Sequence, residues 1–93
     1  MARLLTEAEI QDSTSVLSGW TVVGAQLQIT RTFNDFVQAI EFVNKLVAPA
    51  ESAGHHPDIE ISYNKVKISL TSHDAGGLTQ SDFDLAKVIS QIS

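Results

Sequence analysis

The chain has 93 residues, 43% of them hydrophobic, with six Lys and Arg against eleven Asp and Glu and a net charge of −5 at pH 7, which fits one domain over residues 1–93 with a small core. Six scattered basic residues are a poor match for a nucleic-acid backbone, and the lack of cysteine excludes disulfides and thiolate zinc sites. No apolar run approaches the ~18 residues of a membrane span, and the N-terminus turns acidic by Glu7 without the apolar stretch of a signal peptide, so the reading is a soluble, cytoplasmic protein.

Thr6 with Glu9 three residues later forms a capping box. It predicts a helix to about Ser15, packing Ile10 with Leu17 or Val16 and ended by Ser18-Gly19. Residues 20–23 read as a strand, Gly24 as a turn, and residues 26–31 as a second strand with Leu27 and Ile29 inward, the two forming a hairpin. From Phe33 onward, Phe36, Val37, Ile40, Val43 and Val47 recur at helical spacing, with Phe42 and Leu46 beside them. Thr32 or Asn34 is the expected cap, with Asp35 suited to the positive end of the helix dipole. Glu41 and Lys45 make an i,i+4 pair on the wet face. Pro49 should end or kink this helix near residues 45–48, leaving a last turn over 50–53 that carries Glu51 toward the next segment.

That segment holds the densest titratable chemistry in the chain. All three histidines lie at its ends, in Gly54-His55-His56-Pro57 and Ser72-His73-Asp74. Between them, residues 59–63 and 66–70 alternate apolar and polar, the pattern of two half-buried strands. Asn64-Lys65 is the expected two-residue turn. It opposes Tyr63 to Val66, Ile61 to Ile68 and Ile59 to Leu70, all on one apolar face, so Tyr63 is expected in the core. Extending that ladder sets His56 opposite His73 and His55 opposite Asp74, with Pro57 splaying the outermost pairs. After a permissive loop at 75–78, Thr79 caps a final helix with Asp82 at its third position, and Phe83, Leu85, Ala86, Ile89 and Ile92 form its buried stripe.

The order α-β-β-α-β-β-α, with four strands in two hairpins and helices on one face, makes a two-layer α+β domain with a four-stranded antiparallel sheet. The exposed edges of so small a sheet favour pairing with another copy of the chain. Converging imidazoles admit three readings. Three of them can ligate zinc, though adjacent His55 and His56 diverge if extended. They can move protons near neutrality. They can also be a polar surface cluster with structural hydrogen bonds. By default Trp20 is a core residue, Asp82 a carboxylate matched to a helix dipole, and Asp58 and Glu60 solvated strand residues.

Taken together, Gly54-His55-His56-Pro57, Tyr63-Asn64-Lys65-Val66, the run from Thr71 through His73 to Thr79, Asp82, and Trp20 after Gly19 resemble the pterin-4a-carbinolamine dehydratase family over essentially the whole chain. The resemblance implies the same α+β fold. It also implies dehydration of a 4a-hydroxytetrahydropterin, the product released by aromatic amino-acid hydroxylases, without metal or organic cofactor. It carries the catalytic role to His55, His56 and His73, the active-site aspartate to Asp82, a place near the pterin to Trp20, and the orienting of one imidazole to Glu51. The exposed sheet edges make a homodimer or homotetramer the expected assembly, and the composition argues against direct contact with nucleic acid or membrane. The family usually has Lys where Ser52 stands, and animal members have an aromatic at Ile59. The alternative is a non-catalytic scaffold on the same fold, a dimerisation cofactor or assembly factor. Such relatives tend to lose the active-site histidines, and all three stand here.

Overall fold

The structure, a computed structural model, describes residues 3–92. In chain order the elements are α1 (Glu7–Ser15), β1 (Thr21–Val23), β2 (Gln26–Thr32), α2 (Phe36–Lys45), α3 (Val47–Ala53), β3 (Asp58–Ser62), β4 (Lys65–Leu70) and α4 (Gln80–Ser90). The strands form one antiparallel sheet in the order β1-β2-β4-β3. Alternation divides it into two faces. Leu27, Val66, Ile68 and Leu70 point into a core shared with Phe42, Leu46, Phe83, Leu85 and Ile89 from the helices. Gln26, Gln28, Lys65, Lys67 and Ser69 lie on the opposite, polar face. The α+β architecture is the one the pattern predicts, and among the described residues no helix is long and apolar enough to cross a membrane.

The C-terminal hairpin departs from its expected register by two residues. Ile59 pairs with Ile68, Ile61 with Val66 and Ser62 with Lys65, so the turn is Tyr63-Asn64. A two-residue shift keeps every side chain on its own face, and apolar alternation cannot distinguish the two registers. Asn64 decides between them. Its carbonyl accepts from the Phe33 N–H at 2.8 Å, and its Nδ2 donates to the Phe33 carbonyl at 2.8 Å, fastening the turn to the end of β2. Tyr63 is therefore not a core residue. It stands 67% exposed at φ 54°, a left-handed conformation that Gly24 supplies in the β1–β2 turn. His56 does not oppose His73 either, because the β3–β4 ladder ends at Asp58 and Ser69.

The central helix also differs from its expectation. Its N-cap is Asp35, not Thr32 or Asn34, and the carboxylate accepts from the Gln38 N–H at 2.8 Å. The face turned to the core is Ala39, Phe42 and Leu46, whereas Phe36, Val37 and Val47 are exposed. The Arg31 guanidinium covers the Phe42 ring at 4.9 Å. The interruption by Pro49, which has no N–H, falls where it is expected: α2 ends at Lys45 and α3 begins at Val47.

At α1 the capping box forms as expected: the Glu9 N–H donates to Thr6 Oγ1 at 3.2 Å and the Thr6 N–H to Glu9 Oε1 at 2.8 Å. Arg3 adds two bonds to the same carboxylate, each 2.9 Å, and together these lower its pKa from 4.5 to about 2. A depressed carboxylate contributes stability that is whole above its ordinary pKa and lost as pH falls through the folded value. Glu9→Gln should thus reduce stability at neutral pH, and the difference from the parent should vanish between about pH 4.5 and 2 in acid titrations of the urea midpoint. Tyr63→Asn should raise stability by about 1 kcal/mol, since Asn accepts the left-handed conformation at less cost; an unchanged urea midpoint would show the turn is unstrained.

Candidate active site

The route into the site begins at the end of α3. Gly54 sits at φ 61°, ψ 30°, a conformation that costs a side-chain-bearing residue about 1–2 kcal/mol. The Gly54 N–H bonds the Glu51 carbonyl at 3.2 Å and the His55 N–H bonds the Ala50 carbonyl at 3.1 Å. These two bonds form a Schellman cap, which closes the helix and fixes the direction of the next residue. His55 therefore leaves α3 with its backbone already held.

Its side chain is held as well. His55 Nε2 lies 2.5 Å from Asp82 Oδ1. Asp82 is fully buried at the third position of α4, and its other oxygen, Oδ2, accepts from the Thr79 N–H at 2.9 Å and the Ser72 hydroxyl at 2.8 Å. Ser72 and Thr79 hydroxyls also meet at 2.8 Å. His56 has a partner of another kind, a hydrogen bond to Glu51 in which both side chains are about two-thirds exposed, at 65% and 68%. His73 stands at the start of a tight loop closed by a bridge between Ser72 and Gly77.

All three imidazoles line one open cleft of about 680 Å³, with Thr71, Ser72, Asp74, Thr79 and Ser81 completing much of its wall. One wall is residues 54–56 and the other is the 71–75 loop with the start of α4. Glu51 stands behind His56, on an apolar groove with Val43, Val47 and Ile59. Trp20 does not line the cleft. Its indole is buried in the core and donates to Ser90 Oγ at 2.7 Å. Among the described residues no group of three or more His, Asp or Glu side chains is placed to hold a metal ion.

The family model for pterin 4 alpha carbinolamine dehydratase matches residues 3–92. The chain belongs to the pterin-4a-carbinolamine dehydratase family. A relative assigned as a pterin-4-alpha-carbinolamine dehydratase in Nostoc punctiforme is 75% identical over 99% of each chain, and another so assigned in Trichormus variabilis is 72% identical over the full length of both. The solved structure of a transcriptional coactivator/pterin dehydratase from Brucella melitensis superposes with a TM-score of 0.89, at 30% identity over 94% of this chain and 95% of that one. A pterin dehydratase-like protein described as a RuBisCO assembly factor in the alpha-carboxysome shares the fold at a TM-score of 0.61, with 22% identity over 76% of this chain and 82% of that one.

For a member of this dehydratase family, the cleft presents three histidines, two of them paired with carboxylates outside its lining in unequal settings, Asp82 buried and Glu51 exposed. Sequence reasoning missed the contribution of Ser72. The capping pattern at Thr79 and Asp82 was legible, but nothing in it says that a serine ten residues upstream joins the same carboxylate. Losing Asp82 would leave three donors without their shared acceptor. Asp82→Ala should therefore destabilise the protein by about 3 kcal/mol, and Glu51→Ala, which breaks an exposed pair, by less than about 1 kcal/mol. Equal losses in urea denaturation would refute this contrast.

Proposed function

We propose that the protein dehydrates a 4a-hydroxytetrahydropterin to the quinonoid dihydropterin in the cleft of His55, His56 and His73, acting as a carbon–oxygen lyase. The observation that carries this reading is three imidazoles on one cleft, two backed by carboxylates, in a chain of this family. The substrate bears a hydroxyl on C4a beside the N5–H. An acid gives a proton to the departing hydroxyl, and the C4a–O bond breaks with its electron pair to form water. A base takes the N5 proton, and the electrons of that N–H bond become the C4a=N5 double bond. Atoms and charge balance without an oxidant or reductant, and proton exchange with solvent resets the two groups. His73 and one of the pair His55 and His56 move these protons, and the remaining imidazole holds the ring. Glu51 and Asp82 orient His56 and His55 respectively.

Aromatic amino-acid hydroxylation is the class of reaction that generates such a substrate, so the protein serves pterin recycling after it. The exposed apolar residues Phe36, Val37, Val47 and Ile61 support assembly of the chain into a homodimer or homotetramer, which light scattering would measure.

A positioned general acid or base contributes about 100- to 10,000-fold. His73→Ala should therefore lower the dehydration rate of 4a-hydroxytetrahydrobiopterin about 100-fold or more, followed by the decay of the carbinolamine absorbance. His55→Ala and His56→Ala should separate, one lowering kcat to a similar extent and the other chiefly raising KM. Losses below about tenfold in all three variants would exclude histidine acid–base catalysis.

A further inference from the structure

The hydrogen bonds around Asp82 run in one direction. Ser72 has a single hydroxyl proton, and the carboxylate oxygen Oδ2 at 2.8 Å can only accept it. Ser72 Oγ must then accept from the Thr79 hydroxyl at 2.8 Å. With the Thr79 N–H also on Oδ2 at 2.9 Å, that oxygen is committed to α4 and to Ser72. Oδ1 is left for His55 Nε2 at 2.5 Å. A carboxylate with its oxygens so placed accepts, so Nε2 carries a proton of His55, and in the neutral ring Nδ1 is then the acceptor. This tautomer is assigned from the network of donors.

The end torsion of an aspartate is broad, so neighbours rather than an intrinsic well set the plane of its carboxylate. Thr79 N–H alone leaves that plane free to turn about one bond. The Ser72 hydroxyl supplies the second anchor on Oδ2. We infer that Ser72 is a positioning residue for the reaction: its hydroxyl locks the Asp82 carboxylate, and through it the ring plane and tautomer of His55. The inference rests on the dehydratase reading for its kinetic consequence but not for its structural one.

Ser72 can be altered without dismantling its surroundings. The backbone bonds of its loop, from the Ser72 N–H to the Gly77 carbonyl at 3.0 Å and from the Gly76 N–H to the Ser72 carbonyl at 2.9 Å, do not involve the hydroxyl. Ser72→Ala therefore removes one hydroxyl, and Ser72→Thr returns it.

The experiment has two arms. In the free protein, proton and ¹⁵N NMR read the His55 ring. The parent should show Nε2 protonated, with a downfield Nε2–H resonance protected from water by its short bond to the carboxylate. Ser72→Ala should lose that protection, and Ser72→Thr should restore it. In turnover of 4a-hydroxytetrahydrobiopterin, Ser72→Ala should lower the rate about tenfold, a fraction of what an ångström of misplacement can cost. The loss should fall on whichever of kcat and KM His55→Ala changes, and Ser72→Thr should recover it. In a His55→Ala background, Ser72→Ala should cost less than about twofold more, because residues acting through one another are not additive. An unchanged Nε2–H resonance in Ser72→Ala, a proton on Nδ1 in the parent, or full additivity with His55→Ala would each overturn the inference. If the parent shows no turnover, the dehydratase reading falls and the NMR arm alone decides the role of Ser72.

Discussion

A single buried carboxylate ties the fold to the site. Asp82 is fully buried at the third position of α4, where it holds the N–H of the capping residue Thr79 and also holds His55. Burying a charge costs several kcal/mol unless its oxygens are met by donors. Here a backbone N–H, a hydroxyl and an imidazole meet them, and the helix N-terminus adds a favourable dipole. None of these donors is close to the others in sequence except Thr79. The packing of α4 against α3 and the sheet therefore has to be complete before the carboxylate is satisfied. The same step sets His55, so the site is built by folding rather than by a later adjustment.

The backbone reaches this point by a route that leaves little freedom. Pro49 interrupts the helical ladder between α2 and α3, and α3 is too short to be stable by itself. Gly54 then stops it in a left-handed conformation that glycine, having no Cβ, adopts without strain. Because the His55 N–H bonds back to Ala50, the residue is fixed by its backbone at one end and by its ring at the other. His56 follows without such restraint. Its partner Glu51 lies on the outer turn of α3, where water screens the pair.

Much of this was legible in the residues. Period-two alternation gave the strands, helical spacing gave the helices, and the capping boxes at Thr6 and Thr79 placed two helix starts. The failures have several causes. Apolar patterns report which face a residue occupies, and they are blind to changes that preserve the face. A two-residue slip of the C-terminal hairpin keeps Ile59 and Ile61 on the same face of the sheet, and the bonds between Asn64 and Phe33 fasten the turn of the observed register. Tyr63 was misplaced with that slip. Along α2 the apolar residues cover more than half the circumference, so spacing could not say that Phe42 and Ala39 face inward while Phe36 and Val37 do not. The pairing of Asp82 with Ser72 depends on how α4 packs near β4, which no local pattern encodes.

The cleft exists because the hairpin stops pairing before it reaches the histidines. Adjacent residues on an extended segment point in opposite directions, so His55 and His56 alone cannot approach two neighbouring atoms of one flat ring from the same side. A second wall is required, and the chain beyond β4 supplies it. Pro57 has no N–H to offer a partner strand, and the ladder ends at Asp58 and Ser69. Past that point Thr71 bonds the Ala25 carbonyl at 2.7 Å and Ser72 bonds Asp82, drawing the chain toward the β1–β2 turn and α4 instead of toward residues 55–57. The loop they anchor carries His73 across an open gap from the pair. A hairpin paired to its end would have filled that gap with backbone hydrogen bonds. For the elimination proposed above, the early end of the ladder leaves two walls and the space between them.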